Sequence, residues 1–176
     1  QIPIKTIAKA LKEFRCDENQ NPGRMNIINL ENVTVILDYG HNVKSIEAVI
    51  NTAKLMRPSR IIGVIASPGN RRDYDIIKLG YVAGKGFHRL IIKEDEDLRG
   101  RKPGEVAWLL QQGAQEAGLK GDKIQVILDE EEAITYSLDN AAKGDIIVVF
   151  YENYERALAA IKAAAGRTKS AVGLPV

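Results

Sequence analysis

Five runs constrain this chain more than anything else in it: "VTVILDY", "RIIGVIAS", "RLIIKE", "KIQVILD" and "DIIVVFY", at residues 33–39, 60–67, 89–94, 123–129 and 145–151. Each is a block of Ile, Val and Leu rather than an apolar–polar alternation, the pattern of strands covered on both faces. The stretches between them, 43–56, 73–86, 103–117 and 130–142, have helical periodicity, and a last helix is expected over 153–166. Strand–helix alternation predicts right-handed crossovers and a Rossmann-like, doubly wound α/β sheet of about six mostly parallel strands. "MNIINL" (25–30) is separated from the first parallel strand only by a turn at Glu31-Asn32, so it is expected to be an antiparallel edge strand.

The start of the chain is different. Residues 4–14 form an amphipathic helical pattern with Ile4, Ile7, Leu11 and Phe14 on one side. "CDENQNPGR" (16–24) then interrupts all periodicity and reads as a linker. The organisation expected is a helix within 1–15, a linker at 16–24, an α/β domain over 25–166 and a loose tail at 167–176. The chain begins on Gln1 and is expected to be a piece of a longer protein.

Composition excludes more than it assigns. The net charge of +2 over 176 residues does not point to nucleic acid or a membrane surface. Cys16 is the single cysteine, which rules out an internal disulfide and a cysteine-based zinc site. No apolar run approaches the ~20 residues of a membrane helix, and the first residues lack the hydrophobic block of a signal peptide. The expectation is a cytoplasmic protein.

In a doubly wound sheet, ligands sit beyond the carboxyl ends of the strands, so chemistry is sought there. "DYGHN" follows the first parallel strand: Asp38 can accept two hydroxyl hydrogen bonds, as from a ribose diol, His41 can donate, accept or titrate near neutrality, and Asn42 stands where a helix cap belongs. The alternative is that Asp38 and Asn42 only cap and His41 is a surface residue. After the next strand, "SPGNRRD" places Arg71 and Arg72 at a helix start, where positive charge is unfavourable unless it holds an anion; a solvated turn is the other reading. "KEDEDLRGRKPGE" sets Glu94, Asp95, Glu96 and Asp97 before Arg99 and Arg101, either a solvated loop or a site for a substrate carrying both a cation and a carboxylate. "YENYERAL" brings Tyr151, Tyr154 and Glu155 to the same rim, where aromatics serve packing more often than recognition. His88 precedes a strand and reads as structural.

No nicotinamide fingerprint, phosphate loop or nucleophile elbow is present. The pattern is that of one wall of a site, not a self-sufficient catalyst.

"PGRMNII" followed by "VTVILDYGHN" resembles the junction between the central and C-terminal domains of the Mur ligase family. "SPGNRRDYDIIKLG" and "IIKEDEDLRGRKPGEVAWLL" are more specifically similar to the cyanophycin-synthetase branch, whose C-terminal half is a Mur-ligase-like module. The resemblance spans about residues 3–165. It implies an ATP-dependent amide-bond-forming ligase, in which ATP phosphorylates a carboxylate and an amine attacks the acyl phosphate. The phosphate loop and the Mg2+ ligands would belong to the preceding central ATP-binding domain, which would also own the first helix. The fragment alone would be inactive. Arg24 matches the family arginine that reaches the ATP phosphates, Asp38 the ribose ligand, and His41 and Asn42 the rest of that motif; Arg24 and His41 would be the catalytic pair. Arg71, Arg72, Asp95, Asp97, Arg99 and Glu155 would bind the incoming amino acid, expected to be arginine because its guanidinium pairs bidentately with carboxylates. The carboxylate acceptor and homo-oligomerisation of the parent chain stay open.

The motif departs from the family at Gly40 and Val43, where Ala and Pro are usual. Asp97-Leu98-Arg99 and Tyr151-Glu152-Asn153 stand where the peptidoglycan branch has Asn-Pro-Arg and Gly-Lys-Gly, which argues against a cell-wall tripeptide synthetase. The alternatives are another Mur-type ligase, of peptidoglycan or folylpolyglutamate type, and a stand-alone nucleotide or amino-acid binding module.

Overall fold

The computed structural model describes residues 2–171. Its elements are α1 (Ile4–Glu13), β1 (Asn26–Asn29), β2 (Thr34–Asp38), α2 (Val43–Leu55), β3 (Ile61–Ile65), α3 (Asp73–Gly86), β4 (Arg89–Ile92), α4 (Glu105–Glu116), β5 (Ile124–Val126), α5 (Glu130–Asp139), β6 (Ile146–Phe150) and α6 (Tyr154–Ala171). One six-stranded sheet has the order β1-β2-β6-β3-β4-β5. Only the β1–β2 pair is antiparallel, with Asn26 opposite Leu37 and Asn29 opposite Thr34; every other pair is parallel. The edge hairpin and the doubly wound sheet are as the residue pattern predicts.

The unbroken Ile/Val runs are explained by two cores. Ile36, Ile61, Ile65, Leu90, Ile92, Ile146 and Val148 pack on one face beneath α2, α3 and α4. Their neighbours in sequence, Val35, Leu37, Ile62, Val64, Ile91, Ile147 and Val149, pack on the other beneath α5 and α6. A strand's side chains alternate between faces, and here both faces are apolar. The chain changes face between α4 and α5, because β5 at one edge returns to β6, which is inserted between β2 and β3. Connections leaving in opposite senses open a crevice at the carboxyl ends of β2, β6 and β3.

Two boundaries differ from expectation. Pro103 lies before α4, whose cap is Gly104 at φ 84°, because Glu94 rather than a local side chain receives the first free amides of that helix. The helix α6 does not stop at Gly166 but runs to Ala171; a glycine stops a helix only where the chain turns to a left-handed conformation. The rest of the expected loose tail, 172–176, lies outside the described residues. Within the linker, Asp17 organises a turn by accepting the amides of Asn19 and Gln20.

Helix α1 has no buried residue, and Ile4, Ile7, Leu11 and Phe14 are all exposed. Among the described residues no helix is long and apolar enough to cross a membrane.

Candidate functional site

The carboxyl ends of the strands carry two adjoining clefts. The first, about 160 Å³, is lined by Tyr39, Gly40 and His41 after β2, Ala66, Pro68 and Arg71 after β3, Asp95 and Arg99 after β4, and Phe150, Tyr151 and Glu152 after β6. The second, about 380 Å³, is lined largely by acids: Glu94, Asp95, Glu96, Asp129, Glu130 and Glu152, with Arg156 and apolar Leu98, Pro103 and Leu128. Asp95 and Glu152 form the common wall.

Asp38 is the last residue of β2 and is 7% exposed. Its Oδ2 accepts the Met25 amide at 2.9 Å and its Oδ1 the Gly40 amide at 2.7 Å. The carboxylate therefore joins the end of the linker to the turn after β2. Met25 has φ 52°, a left-handed conformation that a β-carbon disfavours, and Asp38 supplies the compensating bond. Two lone-pair sites of the carboxylate remain for hydroxyl donors. Asn42 is the N-cap of α2, its side chain accepting from the Ser45 amide at 3.0 Å. The capping reading thus holds for Asn42, whereas Asp38 ties two turns together and caps no helix.

His41 is held by a contact of its Nδ1 with the Tyr39 carbonyl at 3.3 Å and by its edge-on ring contact with Tyr39, centroids 5.5 Å apart. Arg24 lies with its guanidinium 4.8 Å from the centroid of the Tyr39 ring. Among the described residues neither Arg24 nor the Arg71 side chain has a carboxylate partner. Arg71 in the first cleft and Arg24 beside it, over Tyr39, are thus cations without a carboxylate partner, in a cleft that also holds Asp95 and Glu152.

Arg72 does not join this group. It is exposed and paired to Asp75, one turn along α3, at 2.7 Å; a hydrogen bond from Arg72 first, and nearby positive charge after it, hold the Asp75 carboxyl below its ordinary value. Arg99 takes φ 48° and turns back on Asp97, which accepts its amide at 2.9 Å, while its guanidinium reaches Asn70 at 3.4 Å. Asp97 and Glu155 are exposed and line neither cleft.

Sequence reasoning treated Glu94 to Asp97 as one acidic patch, and the structure separates them. Glu94 is buried and spent on the Gly104 and Ala107 amides at 2.8 and 3.0 Å, where a carboxylate offsets the helix dipole. Glu96 pairs with Arg156, whose guanidinium also reaches Glu131 at 2.9 Å; these bonds raise the Arg156 pKa. Only Asp95 of the four faces both clefts.

The organising residues were missed. Lys93 is fully buried, with its ammonium 2.8 Å from Glu130 and 3.5 Å from Asp95. The ion pairs neutralise it, but no oxygen meets it at hydrogen-bond angle. Glu130 in turn accepts the Glu152 amide at 2.7 Å, and Glu152 accepts the Glu96 amide at 2.8 Å. Arg101 fastens the remaining loops, donating to the Gly69 and Arg71 carbonyls at 2.7 and 2.8 Å and pairing with Asp73 and Glu105. The available signal was a lysine inside a strand run covered on both faces.

The family described as Mur ligase, glutamate ligase domain, matches residues 23–150. Over 160 residues the chain is 42% identical to a cyanophycin synthetase of Crocosphaera subtropica, covering 91% of this chain and 18% of that protein. The chain thus spans about a fifth of the length of such relatives. A solved UDP-N-acetylmuramoyl-L-alanyl-D-glutamate–2,6-diaminopimelate ligase superposes with a TM-score of 0.71 at 19% identity, over 96% of this chain and 35% of that one. A MurF ligase from Thermotoga maritima, in complex with ADP, superposes with a TM-score of 0.59 at 16% identity, over 93% of this chain and 37% of that one. The likeness to these solved structures is one of fold, and the chain belongs to the Mur ligase family through its glutamate ligase domain.

Proposed function

We propose that this chain is the C-terminal domain of an ATP-dependent amino-acid ligase of cyanophycin-synthetase type, which closes over ATP and presents arginine to an acyl phosphate. The observation that carries the reading is a pair of adjoining clefts, one lined by arginines and carboxylates together and the other largely by carboxylates, with Asp95 and Glu152 common to both. Arg71 and Arg99 suit phosphates and an α-carboxylate; the acidic cleft next to them suits a guanidinium.

ATP would supply the phosphoryl group that activates the acceptor carboxylate. Arg24 and His41 stand at the rim and would stabilise charge on the phosphates, Arg24 as a fixed cation and His41 as a hydrogen-bond donor. The two lone-pair sites left on Asp38 would accept the ribose hydroxyls. Asn42, with its oxygen committed to the α2 cap, would offer its amide nitrogen. Arg71 and Arg99 would hold the α-carboxylate of the incoming amino acid and Asp95 its guanidinium. Among the described residues no three His, Cys, Asp or Glu side chains converge to hold a metal. The Mg2+ ligands would belong to the preceding central domain, as the family resemblance implies. The exposed apolar side of α1 would pack on that domain. ADP in the MurF structure and the 42% identity to a cyanophycin synthetase support the nucleotide and the branch.

Asp95→Asn in the full-length protein tests the division of labour. It is expected to raise the KM for arginine roughly tenfold, the cost of weakening one charged hydrogen bond, with little change in the KM for ATP. An equal rise in both would contradict the assignment.

A further inference from the structure

Tyr39 has no role in the reading above, yet it is the side chain on which Arg24 rests. It is 42% exposed, so part of the ring is open. Two ring contacts fix it. His41 meets it edge-on with centroids 5.5 Å apart, Tyr151 lies tilted at 5.7 Å, and Tyr151 is itself backed by Tyr154 at 5.6 Å. Over the open face lies the Arg24 guanidinium, 4.8 Å from the centroid.

The backbone below Arg24 is held to the same ring system. The Gly23 carbonyl accepts both the Tyr39 amide at 3.1 Å and the Tyr151 hydroxyl at 3.0 Å. Burial pushes the Tyr151 hydroxyl above its ordinary pKa, so it stays protonated as a donor. Gly23 has φ 75°, and a β-carbon there would collide with Tyr151 Oη, so only glycine permits the approach. The Gly23 amide donates to Asn26 Oδ1 at 2.6 Å and the Met25 amide to Asp38. Residues 23–26 therefore belong to the rigid body of the sheet. The Arg24 side chain would otherwise be a long, unpaired, rotamer-rich cation.

We propose that Tyr39 is a positioning residue for Arg24. Its ring takes up the guanidinium by a cation–π contact without neutralising it, as a carboxylate would, so the charge stays available to a phosphate. The contact itself is weak at an exposed site. Its larger effect is orientation, where a displacement of about 1 Å can cost 10²-fold in rate. The inference rests on the nucleotide role assigned to Arg24 above.

The test is a double-mutant cycle on the full-length protein, measuring kcat for ATP- and arginine-dependent phosphate release together with the melting temperature. Arg24→Ala is expected to lower kcat about 10²-fold or more. Tyr39→Leu should lower it at least tenfold with the melting temperature unchanged, and Tyr39→Phe should stay within about threefold of the native protein, since the ring is retained. In Tyr39→Leu/Arg24→Ala the losses should not multiply, because both remove one device. Native kcat in Tyr39→Leu, multiplying losses, or a Tyr39→Phe as poor as Tyr39→Leu would each overturn the proposal. Native kcat in Arg24→Ala would instead overturn the nucleotide role of Arg24. Should Tyr39→Leu fail to fold, Tyr39→Met keeps the bulk without the ring and decides the same question.

Discussion

Lys93 shows how a single buried charge sets the loops of this site. Its ammonium is fully enclosed between Glu130 and Asp95, one on α5 and one after β4, and Glu130 carries the β6 loop through the Glu152 amide. Removing one partner of a buried pair leaves the others uncompensated, at about 3–5 kcal/mol. Lys93→Met is expected to cost that much in denaturant unfolding, and Lys93→Met/Glu130→Gln less than Lys93→Met alone; a double loss equal to the sum of the two single losses would mean the pair carries no coupling. Asp145 is a second case. Burial alone would push its carboxyl up, but the Arg60 hydrogen bonds, the Ala142 amide and nearby positive charge bring it below its ordinary value of 3.8. A depressed folded value contributes stability above the unfolded value and loses it as pH falls through the folded one. Arg60→Gln should therefore be less stable than the native protein at neutral pH, with the gap narrowing as pH falls through the depressed folded value and Asp145 becomes protonated in the folded as well as the unfolded state. A gap that widened on acidification would contradict this. Asp38→Ala is expected to lower stability by about 1–3 kcal/mol as well as activity, because the Met25 and Gly40 amides lose their acceptor.

Elements were legible in the residues where one rule governed them. The Ile/Val runs define the strands, Asn42 announces the start of α2, and the short Glu31-Asn32 connection announces the antiparallel edge. His88 is structural as its position before β4 suggests, its Nδ1 accepting the Ile61 amide at 3.0 Å. What could not be read were pairings between residues distant in the chain. Glu94 caps α4 from the end of β4, and nothing local distinguishes it from Asp95 beside it. Arg72 and Arg71 are neighbours with the same charge, and only the direction of α3 sends one to Asp75 and the other to the cleft. The contact between α3 and α4 was equally hidden. Gly80 lies against the Leu110 carbonyl and Gly113 against the Ile77 carbonyl, with no room for a β-carbon at either. Gly113→Ala should therefore destabilise, by roughly 1–3 kcal/mol of overpacking, although alanine is the better helix former by about 1 kcal/mol. A gain in melting temperature would show that the helices separate freely.

At the scale of the whole molecule, the fold places four loops at one end of a sheet, and internal ion pairs hold them there. The loops enclose side by side a cleft with Arg71 and Arg99 facing Asp95 and Glu152 and a second, largely acidic one, a layout suited to a substrate bearing both a carboxylate and a cation. The Gly23–Met25 segment is fixed to that end by Asp38, Tyr39 and Tyr151. Any swing of the sheet against a preceding domain would therefore pivot before Gly23 and carry Arg24 with it. The most direct measurement is phosphate release by the full-length protein with ATP, magnesium and an aspartate-containing acceptor, with arginine and then each other amino acid in turn. Release that depends on arginine, and that falls at least about 10²-fold in Arg24→Ala, is the predicted result. Release with another amino acid and none with arginine would contradict it.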